Sequence, residues 1–269
     1  MSRSFGRQSV LWRIGVGADR YWLKRHQSSV HYDREVIALT NYAPRLEGVS
    51  VPEVVSRDDE LGAFILSDVP GSHPKQMKLS LDESAEVHRL AGAAARSLHA
   101  IPVSETPEMP YAASFMEAVE RALRLSEPHL DGETISWVEK AVDGGATFEG
   151  SSYVMAHMDY SPRNWIVDRQ SDGLGLGVID WERARVDHWL QDVQRMVPDD
   201  WEQEPSLRAA YFEGYGREPD EREMRQLDLL VLLGAVGAVW WSADHGDVEY
   251  ETYGRELITH LRQRMGGEP

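Results

Sequence analysis

The chain has 269 residues, of which 42% are hydrophobic and 9% aromatic, a composition that supports a sizeable folded core and argues against disorder. It contains no cysteine, which excludes disulfides and thiolate–metal sites and fits a reducing compartment. The net charge of −17 argues against nucleic acid as a partner, because such binding depends on Lys and Arg facing phosphates, and it favours a cationic ligand.

Residues 1–7 lack an apolar core of the signal-peptide type, so we expect no secretory signal there. Residues 10–16 are rich in strand-forming side chains, and a turn at 17–20 leads into a second candidate strand at 21–24. The two segments predict a β-hairpin.

Residues 32–39 carry their apolar side chains mostly on one side and predict a helix. Residues 51–55 and 62–66 follow as two further strands around a polar turn at 57–60. The segment 68–72, with the sequence DVPGS, then breaks the pattern and predicts a linker.

After this linker the chain becomes mostly helical. Residues 85–99 carry apolar side chains at helical spacing, and Pro102 follows them as a stop. Residues 115–125 and 134–142 predict two more helices, and helices resume from about Asp192 to the end.

These elements predict an α+β protein with a strand-rich first part, residues 1–71, and a mainly helical second part, residues 72–269. The apolar stretch at 229–241 is too short to cross a bilayer and predicts a buried helix. We therefore expect a soluble, cytoplasmic protein with no membrane partner; the oligomeric state stays open.

The most informative segment lies between two short predicted strands at 154–156 and 165–167. It contains His157, Asp159 and Asn164 with the spacing H-x-D-x-x-x-x-N, which is typical of a kinase catalytic loop. In phosphoryl transfer the carboxylate orients the attacking hydroxyl, and the amide holds magnesium against the nucleotide phosphates.

A second acidic residue strengthens this interpretation. The strands at 165–167 and 175–179 flank a turn at 170–173 and predict a hairpin, which would return Asp180 to the neighbourhood of Asn164. Asp180 is then the second magnesium ligand. The alternative is that Asp159 caps a helix and Asp180 is an ordinary turn residue.

The segment from His157 to Asn164, together with the later I-D-W-E at 179–182, resembles the catalytic core of the aminoglycoside phosphotransferase family. These enzymes are relatives of protein kinases that phosphorylate small molecules, so the resemblance implies a two-lobed protein-kinase-like fold. The family usually has glycine between the histidine and the aspartate, where this chain has Met158, a change at a backbone-permissive position.

The resemblance implies a nucleotide site in the first lobe. Lys24 lies where the family places its phosphate-binding lysine, and Glu35 where it places the acid that holds this lysine. The loop at 4–9 would cover the phosphates, with Gly6 and the backbone near Ser9 approaching them.

The linker resembles the hinge of the family, where backbone groups bind the adenine edge. Here these groups would be the Ser67 carbonyl and the Val69 amide. Backbone contacts leave the choice of nucleotide open, so we expect ATP, with GTP not excluded, and Mg²⁺. Asp192 resembles the acid that braces the catalytic loop, with a helix cap or surface position as the alternative, and His157 would have a supporting role.

The substrate is predicted from the resemblance and from charge. Between residues 186 and 251 there are 16 acidic residues against five Arg and no Lys, which indicates either a solvated helical surface or an acidic cleft. An acidic cleft would suit a small cationic molecule with a hydroxyl group, such as an aminoglycoside or a basic peptide antibiotic of the viomycin and capreomycin type. Carboxylates beside aromatic faces give the candidate contacts: Asp199, Asp200, Glu202, Trp240 and Asp244.

Three alternative functions remain. A metabolic kinase acting on choline, a sugar or homoserine would share the catalytic residues. A protein kinase is disfavoured, because no A-P-E sequence follows Asp180. A non-catalytic nucleotide-binding module is disfavoured by the presence of Asp159, Asn164 and Asp180 together.

Overall fold

A computed structural model describes residues 9–17, 19–104, 106–171 and 173–266. Strands dominate the first part of the chain and helices the second, as the sequence predicts. Gly6, a predicted phosphate-loop residue, lies outside the described residues.

The first sheet has four antiparallel strands in the order β1-β2-β5-β4. They are β1 (Ser9–Val16), β2 (Asp19–His26), β4 (Val54–Asp58) and β5 (Ala63–Ser67). In the central strand β2, Lys24 pairs with Leu11 of β1 and Phe64 of β5. Since side chains alternate along a strand, Lys24 and His26 share one face, and both are buried.

Helix α1 (Ser29–Ile37) follows β2 and continues into a π-helical turn at Ala38–Tyr42 and a 3₁₀ turn at Ala43–Arg45. The sequence places this helix at 32–39. Glu35 is its most deeply buried acidic residue, 1% exposed, which shows that this side of the helix faces the sheet.

A second sheet joins the two parts of the chain. Its order is β3-β8-β7, with β3 (Val49–Ser50), β7 (Trp165–Gln170) and β8 (Gly173–Val178). The short strand β3 comes from the first part and runs parallel to β8.

Two strand predictions need correction. The predicted strand at 51–55 is instead two strands, β3 and β4, separated at residues 51–53, where Pro52 has no N–H to donate to a sheet. The sequence pattern also gives no prediction of β9 (Arg185–Asp187), a three-residue strand that pairs with β6 (Val154–Ala156).

Seven α-helices of the described residues follow the hinge region, and capping boxes fix where two of them begin. Ser80 with Glu83 begins α3 four residues before the predicted start, and Asp220 with Glu223 begins α7. The helices are α2 (Pro74–Met77), α3 (Leu81–His99), α4 (Tyr111–Ser126), α5 (Gly132–Ala141), α6 (Pro205–Tyr215), α7 (Glu221–His245) and α8 (Val248–Arg264).

Helix α7 contains the apolar stretch at 229–241 but is longer than the sequence predicts. With 25 residues it is long and apolar enough to cross a membrane by length and composition alone. Its most apolar window is 61% buried inside the protein, and a core helix passes the same test. The prediction of a buried helix therefore rests on packing and not on length.

Helices α3 and α6 approach so closely that two contact positions admit only glycine. A Cβ atom on Gly92 would lie 1.9 Å from the Tyr211 carbonyl oxygen, and one on Gly214 would lie 1.9 Å from the Arg89 carbonyl oxygen. Helix α3 ends at His99, whose Nε2 lies 3.1 Å from the Asp192 carboxylate, so this packing also positions Asp192.

We expect Gly92→Ala to lower the free energy of unfolding by about 1–3 kcal/mol, because the backbones of α3 and α6 must separate. Gly237→Ala is the matched control: it lies within α7 and its Cβ would meet nothing within 4 Å, so it should raise stability by about 0.5–1 kcal/mol. Urea unfolding followed by circular dichroism measures both. A Gly92→Ala variant as stable as the parent would contradict the close packing.

Candidate active site

The segment 157–164 connects β6 to β7 and has an unusual backbone. Met158 has φ +67°, in the left-handed region that glycine adopts without strain and other residues rarely adopt. The side chain of His157 is fully buried, and its Nε2 lies 3.0 Å from the Ile179 carbonyl oxygen. The histidine thereby links this segment to the chain just before Asp180.

The carboxylate of Asp192 holds this backbone in place. It accepts the backbone N–H of His157 at 2.8 Å and that of Met158 at 2.7 Å, one on each oxygen. His99 Nε2 lies 3.1 Å from the same carboxylate, and Asp192 is 1% exposed. Asp192 is therefore a buried brace of the segment and not a surface residue.

Asp159 lies between two arginines. Its carboxylate contacts the Arg163 guanidinium, and Arg195 Nε lies 3.2 Å away. Burial alone would raise the pKa of Asp159, but the charges of Arg195 and Arg163 outweigh it and lower the pKa below its usual range. Asp159 is thus a carboxylate at neutral pH.

Asn164 and Asp180 come together because β7 and β8 form a hairpin. The Ile179 N–H donates to the Asn164 carbonyl oxygen at 3.0 Å, which places Asp180 one residue away. The Asn164 Nδ2 donates to the Asp159 carbonyl oxygen at 2.8 Å, so its Oδ1 is available as a ligand. Asp180 has φ +66°, and its side chain is 39% exposed.

Lys24 reaches Asp180 from the first sheet. Its Nζ lies 2.7 Å from Glu35, 2.7 Å from Asp180 and 3.0 Å from Glu182. Burial by itself would lower the pKa of Lys24, but the three carboxylates, Glu35 foremost, raise it above its usual range. The ammonium is therefore permanently charged and joins three separate segments of the chain.

Three carboxylates around one ammonium leave an excess of negative charge at the exposed Asp180. Carboxylate and amide oxygens are the ligands that Mg²⁺ prefers, and Asp180 with Asn164 supplies both. The residues present therefore fit a magnesium ion held between them.

Two residues of the site, Glu182 and His26, were not predicted from the sequence. Glu182 contacts Lys24, and it accepts a hydrogen bond from the Ser9 hydroxyl at 3.0 Å. His26 Nε2 lies 2.9 Å from Glu35. The sequence contains a signal for each residue. Glu182 is the last residue of the I-D-W-E segment at 179–182, and His26 lies two residues after Lys24, the last residue of a predicted strand.

The predicted hinge lies at the end of β5. Ser67 accepts the Glu53 N–H on its hydroxyl at 2.9 Å, and the Trp22 indole donates to Asp68 at 2.6 Å. Val69 packs against Gly177 of β8, where a Cβ would come within 2.4 Å of its side chain. The hinge therefore contacts both sheets.

The predicted substrate residues do not form one cluster. Asp200 is half-buried with a raised pKa, caused by burial and then by Asp199. Glu202 lies 3.3 Å from His260 and 3.5 Å from Arg264, and Asp244 lies 3.8 Å from His129. These contacts are made at the surface or between helices.

Two cavities lie near the site, and one of them borders the catalytic segment. One of about 360 Å³, which we call the acceptor groove, is lined by Arg163, Arg195 and Asp199 together with residues of α7 and α8. A larger cavity of about 560 Å³ is lined by His99, which contacts Asp192, and by Tyr215. Both arginines of the smaller groove contact Asp159, so this groove opens onto the catalytic carboxylate. Trp240 and the predicted acids other than Asp199 do not line it.

Comparisons with known proteins agree with this geometry. The family model described as the phosphotransferase enzyme family matches residues 6–227, more than four fifths of the chain. Comparison with curated proteins gave no match.

Solved structures share the fold at low sequence identity. The GDP and kanamycin complex of APH(2")-IIia has a TM-score of 0.73 at 16% identity, over 95% of this chain and 93% of the other. A thermostable mutant of aminoglycoside phosphotransferase APH(4)-Ia has a TM-score of 0.76 at 15% identity, over 100% and 95%. Macrolide 2'-phosphotransferase type I has a TM-score of 0.63 at 19% identity, over 92% and 90%. The predicted protein-kinase-like fold is confirmed.

We expect Asp192→Asn to destabilise the protein by about 1–3 kcal/mol, because an amide nitrogen would face a buried N–H donor that loses its acceptor. Thermal unfolding measures this, with Asp33→Asn on the exposed side of α1 as the control. Equal melting temperatures for the two variants would show that Asp192 is not a structural brace.

Proposed function

The chain belongs to the phosphotransferase enzyme family, and we propose that it transfers the γ-phosphoryl group of ATP to a hydroxyl group of a small molecule. The observation that carries this proposal is the convergence of Asp159, Asn164, Asp180 and Lys24 on one site. Three of them come from the catalytic segment and its hairpin, and Lys24 comes from the first sheet.

The donor side of the site consists of Lys24 and its partners. The Lys24 ammonium neutralises phosphate charge, and Glu35 fixes its position. Ser9 is held against Glu182 at the start of β1, beside the same ammonium. Ser67 and Val69 at the hinge are the proposed contacts of the purine ring.

Magnesium would be held by Asn164 and Asp180 and would supply charge neutralisation between the phosphates. Asp180 already shares its carboxylate with Lys24 at 2.7 Å. A magnesium ion held by these two residues and the Lys24 ammonium would therefore both neutralise charge on the phosphates of one nucleotide.

Asp159 performs the acceptor step. Its carboxylate accepts the proton of the acceptor hydroxyl as the acceptor oxygen bonds to the γ-phosphorus. The bond from the γ-phosphorus to the bridging oxygen breaks, and ADP leaves with that oxygen. The lowered pKa makes Asp159 a weak base. Its main effect is therefore to orient the acceptor hydroxyl, and not to remove the proton before the phosphoryl group is transferred. Catalysis thus depends on positioning and charge.

The acceptor is proposed to be an antibiotic-like molecule with a free hydroxyl. Structures of this fold include complexes with kanamycin, gentamicin and streptomycin, and one is a macrolide phosphotransferase. These similarities support the class of reaction and the size of the acceptor. Nucleotide complexes among them contain ATP, ADP or GDP, which supports a purine nucleotide as the donor.

We expect Asp159→Asn to lower kcat by about 10²–10⁴-fold, because the acceptor hydroxyl loses its base. Asp180→Ala should lower it at least as far through loss of the metal ligand. Acceptor-dependent ADP release measures the rates, and thermal unfolding establishes that the variants fold. Asp168→Asn on β7, outside the site, is the control. Near-normal turnover by Asp159→Asn would exclude the proposed mechanism.

A pH prediction follows from the two arginines. Burial raises the pKa of Asp159 and Arg195 opposes it, so Arg195→Gln should raise that pKa. The carboxylate is required in its ionised form, so activity is lost as pH falls through its pKa. The acid limb of kcat/KM, measured from about pH 4 to about pH 8, should therefore move to higher pH in the variant.

The control for this profile is Arg89→Gln, which breaks a surface pair with Glu213. It should leave the acid limb unchanged. An acid limb that does not move in Arg195→Gln would show that a group other than Asp159 sets it.

A further inference from the structure

The acceptor groove carries little negative charge. Among the described residues its lining includes two arginines, Arg163 and Arg195, and one acid, Asp199. The full lining is Arg163, Gln194, Arg195, Pro198, Asp199, Val231, Gly234, Ala235, Tyr250, Tyr253 and Leu257. Both guanidinium groups are paired with Asp159, so Asp199 is the one carboxylate of the lining that remains for an ammonium group, and a molecule with several ammonium groups would be an unfavourable match.

The single carboxylate has a defined position. The Tyr253 hydroxyl donates to Asp199 Oδ1 at 2.7 Å, and Asp199 itself is exposed toward solvent. This bond fixes one oxygen and leaves the other for a ligand. The groove can therefore bind one ammonium group at a fixed place.

The remaining walls are apolar or aromatic. Helix α7 contributes Val231 and Ala235, and α8 contributes Leu257. The rings of Tyr250 and Tyr253 stack with their centroids 5.8 Å apart and an interplanar angle of 12°, and this aromatic pair forms part of the groove surface. Such a surface is complementary to a broad apolar face on a ligand.

Gly234 keeps the α7 side of the groove open. A Cβ there would meet just one atom within 4 Å, the Gln194 Oε1 at 3.5 Å. The position has no packing requirement for glycine, and its φ is not in the left-handed region. A larger side chain at 234 would therefore occupy groove volume without strain in the helix.

We propose that the acceptor is an amphipathic hydroxylated molecule with a broad apolar face and no more than one ammonium group, which binds Asp199. The apolar face lies on Tyr250 and Tyr253, and the hydroxyl points between Arg163 and Arg195 at Asp159. This inference rests on the proposed function and narrows it. It departs from the cationic acceptor expected from net charge, because most of that charge lies outside the groove.

The first test compares acceptors. The purified enzyme with ATP and Mg²⁺ is given kanamycin, which carries several amines, or a macrolide with a single dimethylamino sugar. ADP release gives kcat/KM, and mass spectrometry detects the gain of one phosphate. We expect the macrolide to be preferred by about tenfold or more. A preference for kanamycin would overturn the inference and leave the proposed function standing.

The second test uses variants of the groove with the macrolide as acceptor. Asp199→Asn should raise its KM by about tenfold, as loss of one charge-assisted hydrogen bond would, with KM for ATP unchanged. Gly234→Leu should raise the acceptor KM by steric exclusion, again without affecting ATP. Asp82→Asn, an exposed change at the start of α3, is the matched control.

The outcomes separate the two proposals. If Asp199→Asn and Gly234→Leu both phosphorylate an acceptor with an unchanged KM, the acceptor binds outside the groove. That result would overturn the inference and leave the proposed function standing. Absence of phosphate transfer to either compound, in folded protein that binds ATP, would remove the proposed function and this inference with it.

Discussion

The burial of one positive charge organises the two parts of this protein. Lys24 is almost inaccessible to water, and a buried ammonium is tolerated where carboxylates compensate its lost hydration. Glu35 comes from α1, and Asp180 and Glu182 come from the segment after β8. The requirement to pair this charge therefore holds the helix, the first sheet and the end of the second sheet in one arrangement.

The buried side chain of Asp192 has a similar structural role beside the catalytic segment. Asp192 satisfies two backbone N–H groups in a segment whose left-handed residue, Met158, would otherwise be costly. The cluster around Lys24 and the segment held by Asp192 both contact the end of the hairpin of β7 and β8, which joins Asn164 to Asp180. Nucleotide chemistry and acceptor chemistry thus depend on one short hairpin.

Much of this could be predicted because the signals are local. The catalytic spacing, the hairpin and the helix periodicity all lie within short stretches of sequence, and Lys24 with Glu35 are eleven residues apart on neighbouring elements. The predicted substrate residues are dispersed in the structure, and of these only Asp199 lines the acceptor groove. Glu202 lies beside His260 and Asp244 beside His129, while Asp200 is half-buried.

The sequence by itself determined the fold class, the reaction chemistry and the residues with which that chemistry is proposed, because these depend on residue type at fixed short spacing. The tertiary structure decided where the charge lies. Net charge is a sum over the whole surface, whereas a ligand meets only the side chains that converge on its pocket. Here α7 and α8 share a groove with Arg163 and Arg195, and its lining brings together two arginines, two tyrosines and one carboxylate, which no count of acidic residues could reveal.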